Sequence, residues 1–188
     1  AKDREMIRFG CENAAVRLNF DTGGSTNELE ARLFRGQKKQ LFKNGFQVTR
    51  LSEYLGLFRA VVFTPDHMDL VKGAPESRRR FLDIAMCQSF PRYVALLSEY
   101  NKLLFQKSAC LKSEAPDGLL IDIYNEKLAT LGASITKSRR SFVARLAKKA
   151  SEIYSDMTSG GESMKISFLT QAGDADGSDG LAKSYLTL

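Results

Sequence analysis

Val61-Val62-Phe63-Thr64-Pro65-Asp66-His67-Met68-Asp69-Leu70-Val71-Lys72-Gly73-Ala74-Pro75-Glu76-Ser77-Arg78-Arg79-Arg80-Phe81-Leu82-Asp83 is the stretch on which the reading of the fold turns. Val61, Val62 and Phe63 form a β-branched and aromatic run that predicts a buried strand. Thr64-Pro65-Asp66 stops it with a helix-start signal: a hydroxyl for the N-cap, a proline whose φ is preset for the first helical position, and a carboxylate at the positive end of the helix dipole. Gly73 ends that short helix, and Pro75-Glu76 repeats the start signal. Arg78, Arg79 and Arg80 follow within two turns, and three guanidiniums cannot all be buried cheaply. A strand thus hands over to helices at this point, and the two sides of it read differently.

Upstream, the chain is β-rich. Residues 15–20, 28–34, 37–42 and 46–49 are short apolar or alternating runs, separated by Asp21-Thr22-Gly23-Gly24, Arg35-Gly36 and Asn44-Gly45. Asn44-Gly45 is the strongest hairpin signal, because a tight type I′ turn needs φ > 0 at both central positions. The runs predict an antiparallel meander. Leu29, Ala31 and Leu33 alternate with Glu28, Glu30 and Arg32, which predicts one buried and one wet face. Leu51 to Leu55 reads as a helical turn stopped by Gly56.

Downstream, the period becomes helical. Phe81, Ile84, Ala85 and Gln88 share a stripe on a helix that Phe90-Pro91 interrupts. A second helix starts at Pro91 and carries Val94, Leu97, Asn101, Leu104 and Leu111 along one face. Residues 112–118 form a loop, and a helix of nearly forty residues runs from Leu119 to Met157. On it Ile121, Tyr124, Leu128, Leu131, Ile135, Phe142, Leu146 and Ile153 recur at the spacing of a two-helix seam, which predicts an antiparallel hairpin with the Pro91 helix. Gly132 inside the seam implies a close helix approach or a bend. Met164 to Thr170 reads as a strand returning to the sheet, Gln171 to Gly180 as a solvated linker, and Leu181 to Leu188 is too short to interpret. The fold class is therefore α+β, with divisions expected at 1–63, 64–160 and 161–188.

Composition sets independent bounds. In 188 residues, 43% are hydrophobic and 27% charged, enough apolar surface for a real core and against a disordered chain. The net charge of +6 favours acidic partners such as nucleic acid, although surplus lysine also serves solubility. Cys11, Cys87 and Cys110 stand far apart, outside any metal-ligand spacing, and read as reduced thiols of a cytoplasmic chain. No apolar run approaches a membrane span, and the start has no signal-peptide pattern.

Several motifs fail on inspection. Asp174, Asp176 and Asp179 suggest a calcium loop, but the turn glycine is misplaced and Tyr185 stands where a bidentate glutamate is needed. Gly23-Gly24-Ser25-Thr26 has no lysine and lies between strands, so it is a turn and not a phosphate cradle. His67, the one histidine, has no ligand partners and reads as an exposed first-turn residue. The basic clusters carry more. At 100° per residue Lys137, Arg140 and Lys148 fall on one side of the long helix, opposite Ile135, Phe142 and Leu146. That makes a basic face for a phosphate backbone, or an ordinary solvated surface with Glu152 pairing with Lys148 or Lys149. Arg78, Arg79 and Arg80 diverge around their helix, so some make internal ion pairs and the rest, with Lys72, are a second candidate contact for DNA.

The stretch from Phe63 through Gly73, then Arg78-Arg79-Arg80-Phe81-Leu82-Asp83, Pro91-Arg92-Tyr93 and Tyr100-Asn101, resembles the RecF family of bacterial DNA replication and repair proteins. Asp3 to Gly10 and Leu131-Gly132-Ala133 extend the resemblance over most of the chain. Two parts of the family pattern are missing: the Gly-rich phosphate loop at its start, and the signature motif and acidic magnesium strand at its end. Where the family usually has an acidic or amide N-cap, this chain has Phe90. The resemblance implies an internal fragment comprising part of the antiparallel β portion of an ABC-type ATPase head and the helical lobe that grows from it.

For the family, the resemblance implies ATP and magnesium as cofactors, weak ATP hydrolysis and an ATP-dependent homodimer. It also implies DNA binding at junctions of single and double strands, and cooperation with RecR and RecO in loading recombinase at gaps. The fragment itself is expected to hold no cofactor and no catalytic residue, with Asp66 in a nucleotide-sensing loop. A simple helix-start carboxylate accounts for Asp66 equally well. Two rivals stand beside this reading: a non-catalytic helical interaction module that does not bind DNA, and a helical arm from another ATPase of the same broad class.

Overall fold

The protein is described by a computed structural model covering residues 3–170 and 177–186, with the side chains of residues 66, 177–179 and 185 excepted. The chain divides into two compact units, residues 1–91 and 92–188.

The first unit opens with a 3-10 turn, Asp3–Met6, and then a four-stranded antiparallel meander in sequence order: β1 (Asn13–Thr22), β2 (Ser25–Phe34), β3 (Gln40–Lys43) and β4 (Phe46–Val48). The turn residues set the register. Asn44 and Gly45 have φ of 49° and 80°, the type I′ geometry the dipeptide predicts, and Lys43 pairs with Phe46 across it. In the β1–β2 pair Leu18 faces Leu29 and Ala14 faces Leu33, and Leu29 and Leu33 are buried as the alternation requires. The opposite face is not uniformly wet. Glu30 lies on it and is only 5% exposed, because Arg17 and Arg32 fold over its carboxylate while the Arg32 guanidinium lies 4.1 Å from the Phe42 ring centre.

A 3-10 turn at Leu51–Glu53 and Gly56, at φ 83°, match the expected helical turn and its stop, and Phe58 packs on Phe20 of β1 with ring centres 5.4 Å apart. Val61, Val62 and Phe63 depart from expectation. They form no strand and are 102%, 65% and 85% exposed. A β-prone run becomes a strand only against a partner and a covering layer, and the meander β1 to β4 offers it neither. The helix-start signals hold. A 3-10 turn at Pro65–Met68 runs into α1 (Asp69–Lys72), and α2 (Pro75–Ser89) has its proline in the first turn. The covered stripe of α2 is rotated from the predicted one: Met86 is buried while Phe81 and Ile84 are exposed. Apolar residues sit in adjacent pairs there, so period alone does not select the face. Both α1 and α2 group with the sheet, so the division falls at Pro91.

The second unit is the helical hairpin, α3 (Pro91–Leu111) and α4 (Gly118–Met157), joined by residues 112–117. Asp117 caps α4, its carboxylate accepting from the Leu120 N–H at 3.2 Å. Tyr93 and Arg139, at similar separations from the loop, meet by a hydrogen bond, as antiparallel pairing requires. Leu128 and Ile135 of the predicted seam are buried, and a second stripe, Ala129, Gly132, Ala133, Thr136 and Val143, is buried beside it. The small residues of that stripe let α5 (Gly177–Leu186) approach closely, with Leu181 seated on Ala133. Gly132 is buried within that stripe.

Helix α5 corrects the linker reading for residues 177–180. Residues 171–176 lie outside the described part, as do the calcium-like Asp174 and Asp176 and the side chains of Asp179 and Tyr185. Met164 to Thr170 carries no strand pairing among the described residues, yet it alternates half-buried and exposed positions along its length. It has the pattern of a strand without the ladder. No helix among the described residues is long and apolar enough to cross a membrane.

Candidate functional site

The expected site residues fall on both units. On the first, the Thr64–His67 turn is built as a variant of a capping box. Pro65 opens the helical run, the His67 N–H donates to the Thr64 carbonyl at 2.9 Å, and the Thr64 N–H donates to His67 Nδ1 at 2.8 Å. In a capping box a Glu or Gln side chain three residues after the N-cap takes that N–H, and here an imidazole takes it. The ring also stacks on Phe63, with centres 6.1 Å apart and planes 22° apart. His67 is thus half-buried and engaged, not the exposed residue that the sequence predicts. The Thr-x-x-His spacing is the signal in the sequence that points to it. The Asp66 carboxylate lies outside the described groups.

The arginine run sorts by its contacts. Arg78 donates to the carbonyls of Gly73 at 3.0 Å and Leu70 at 3.4 Å, so it ties the end of α1 to α2. Arg79, Arg80 and Lys72 are exposed, and among the described residues none of them joins an ion pair. Cys87, farther along α2, has its thiol pushed up first by burial and then by the Asp83 carboxylate, which leaves it a weak nucleophile.

On the second unit, Lys137 and Lys148 are exposed on α4, about 20° apart around the helix and roughly 17 Å apart along it. Glu152 pairs with Lys149 at 3.1 Å, which leaves Lys148 outside any ion pair among the described residues. Arg140 lies about 60° from Lys137 toward the buried small-residue stripe. It is half-buried and already engaged, so it does not stand with the two lysines as an open cation. Arg139, which no pattern in the sequence singles out, is committed to the Tyr93 hydroxyl at 3.0 Å.

Gly23 and Gly24, with φ of 59° and 82°, make the tight turn between β1 and β2, and a phosphate cradle needs a loop opening into a helix with a lysine beside it. Among the described residues no group of three His, Cys, Asp or Glu is placed to hold a metal ion.

No family model matches the chain. Curated relatives do. The DNA replication and repair protein RecF of Clostridium acetobutylicum is 33% identical over 170 residues, covering 90% of this chain and 47% of the relative. That of Ruminiclostridium cellulolyticum is 34% identical over 194 residues, covering 99% and 52%, and that of Lacticaseibacillus casei is 34% identical over 173 residues, covering 90% and 46%. Two solved structures of the recombination mediator protein RecF in the RecFOR pathway, one with ATPrS and one with ATP, superpose on the entire chain with a TM-score of 0.88 at 26% and 27% identity. They match over 52% and 51% of their own chains. The chain spans about half the length of the curated relatives it matches, and over that span it is similar in sequence and in fold to RecF DNA replication and repair proteins.

Proposed function

We propose that this chain supplies the antiparallel β part and the helical lobe of an ATP-dependent DNA-binding protein. That protein acts at single-strand gaps and junctions and, with RecR and RecO, helps to load recombinase there. In the longer protein, ATP and magnesium drive a homodimer, and the Thr64–Asp66 turn senses the nucleotide. The chain alone does not turn over ATP on this reading, since among the described residues the Gly23-Gly24 pair is a turn between strands and not a cradle for phosphates. A low-micromolar affinity for ATP by calorimetry would contradict that part.

The observation that carries the DNA reading is the pair Lys137 and Lys148, two exposed cations on one face of α4 outside any ion pair among the described residues. A contact of this kind goes to phosphates, and so is independent of sequence and strongly salt-dependent. Binding of a gapped duplex is measured over a range of salt for the chain and for Lys137→Gln/Lys148→Gln. If each lysine neutralises one phosphate, the double variant lowers the magnitude of the log K against log salt slope by roughly 1.8. An unchanged slope in a folded variant removes α4 from the contact and leaves Lys72, Arg79 and Arg80 to be tested in the same way.

One observation favours the second reading, a helical protein-interaction module. Leu104, Phe105, Leu111, Leu119 and Ile123, near the loop end of the hairpin, are all exposed. An arm that docks by those residues binds its partner with little salt dependence, which separates the two readings in the same titration.

A further inference from the structure

We propose that His67 is the positioning residue of the Thr64–Asp66 turn, and that protonation of its ring releases the turn. A backbone N–H can donate only to an unprotonated ring nitrogen, so the 2.8 Å bond from Thr64 fixes the neutral ring with its proton on Nε2 and its lone pair on Nδ1. The same nitrogen lies 3.2 Å from Thr64 Oγ1. When a proton is added to Nδ1, that atom becomes a donor. The Thr64 N–H then loses its acceptor, and the new Nδ1–H turns to the hydroxyl oxygen. Phe63, stacked on the same ring, is coupled to the exchange.

The ring thus holds the chain on both sides of the point where the extended run becomes a helix. A Glu or Gln at this place in a capping box would hold the N–H through the neutral range, and the imidazole makes the hold depend on pH. The charged residues on the elements packed here are Asp66 of the turn itself, Asp69 and Lys72 of α1, and Glu76, Arg78, Arg79, Arg80 and Asp83 of α2. Arg78 is committed to the carbonyls of Leu70 and Gly73, and among the described residues the ring joins no ion pair. The link to nucleotide sensing rests on the function proposed above, whereas the hydrogen bond and its proton dependence do not.

Nitrogen-15 NMR of the ring, with exchange protection of the Thr64 amide corrected for its intrinsic rate, tests this in the nucleotide-free chain from pH 5 to 8. The expected result is an Nε2–H tautomer when neutral. Thr64 protection falls roughly two- to tenfold as the ring protonates, the population change that a net backbone hydrogen bond supports, and the Phe63 ring signals shift with the same midpoint. In His67→Gln the protection persists and its pH dependence vanishes, while His67→Ala is unprotected throughout. An Nδ1–H tautomer, or Thr64 protection indifferent to the ring's charge, overturns the proposal in the unmodified chain alone and leaves the DNA reading untouched.

Discussion

Arg139 Nε on α4 donates to the hydroxyl oxygen of Tyr93 on α3 at 3.0 Å, and Tyr93 is only 2% exposed. A charged donor meets a buried phenol here, at a point that fixes how the two arms of the hairpin align. Replacing Tyr93 by Phe removes this acceptor from the guanidinium while keeping the ring's packing. The expected loss is about 1.5–3 kcal/mol, the usual range for hydrogen bonds to charged groups. Urea unfolding of the two proteins measures it, and an equal midpoint and slope would show that the bond contributes nothing net.

The seam and the small-residue stripe of α4 give a graded prediction. Ile135 is 4% exposed, whereas Leu131 is half-buried. Ile135→Ala is expected to lose about 2–5 kcal/mol, and Leu131→Ala clearly less. Leu181→Ala, on the α5 side, belongs with the larger class because Leu181 is 2% exposed against Ala133. Thermal melts of the three variants rank them, and a Leu131 loss larger than that of Ile135 would move the seam.

Gly56 combines two restrictions. Its φ is 83°, and a Cβ there would lie 2.7 Å from the Gln88 carbonyl oxygen. Gly36 has a similar φ of 71° with open space around it. Gly36→Ala should cost about 1–2 kcal/mol for the left-handed backbone, and Gly56→Ala more, since backbone must also shift. Equal losses on chemical unfolding would mean that the approach of Gln88 is loose.

Glu30 makes stability depend on acid. The Arg32 hydrogen bond, and after it the one from Arg17, holds its carboxyl below the ordinary value against an opposing contribution from burial. A carboxylate lowered in the folded state contributes stability above its unfolded pKa, and that contribution is lost as pH falls through the folded value. Glu30→Gln should therefore flatten the acid limb of the stability curve, below about pH 4. An acid limb of the same steepness in the variant would assign it to other carboxylates.

How much of this is legible in the sequence depends on what each feature needs. The Asn44-Gly45 hairpin, the Gly56 stop and the start of α2 at Pro75 are readable because the dihedral demand lies in the residues themselves. The forty-residue span of α4 is readable from its period. Val61 to Phe63 misleads because composition reports β propensity, whereas a ladder needs a second strand. Residues 177–180 look like linker because Gly and Asp suggest turns, and α5 gains its stability from docking on Ala133 instead. In the candidate site the sequence singles out Lys72, Lys137 and Lys148, and all three are exposed. It does not show that Arg78 is spent on two carbonyls, that Arg140 is engaged, or that His67 takes a backbone proton, since each depends on a partner brought in by folding.

The bare Val61-Val62-Phe63 run also bears on how the chain behaves at concentration. An uncharged, β-prone segment that is exposed and lies outside any strand is a template for intermolecular pairing, and Arg59 is the one charge in the five residues that lead to Phe63. Self-association of this chain should therefore begin at these residues, rise with protein concentration, and be suppressed by a lysine placed at Val62.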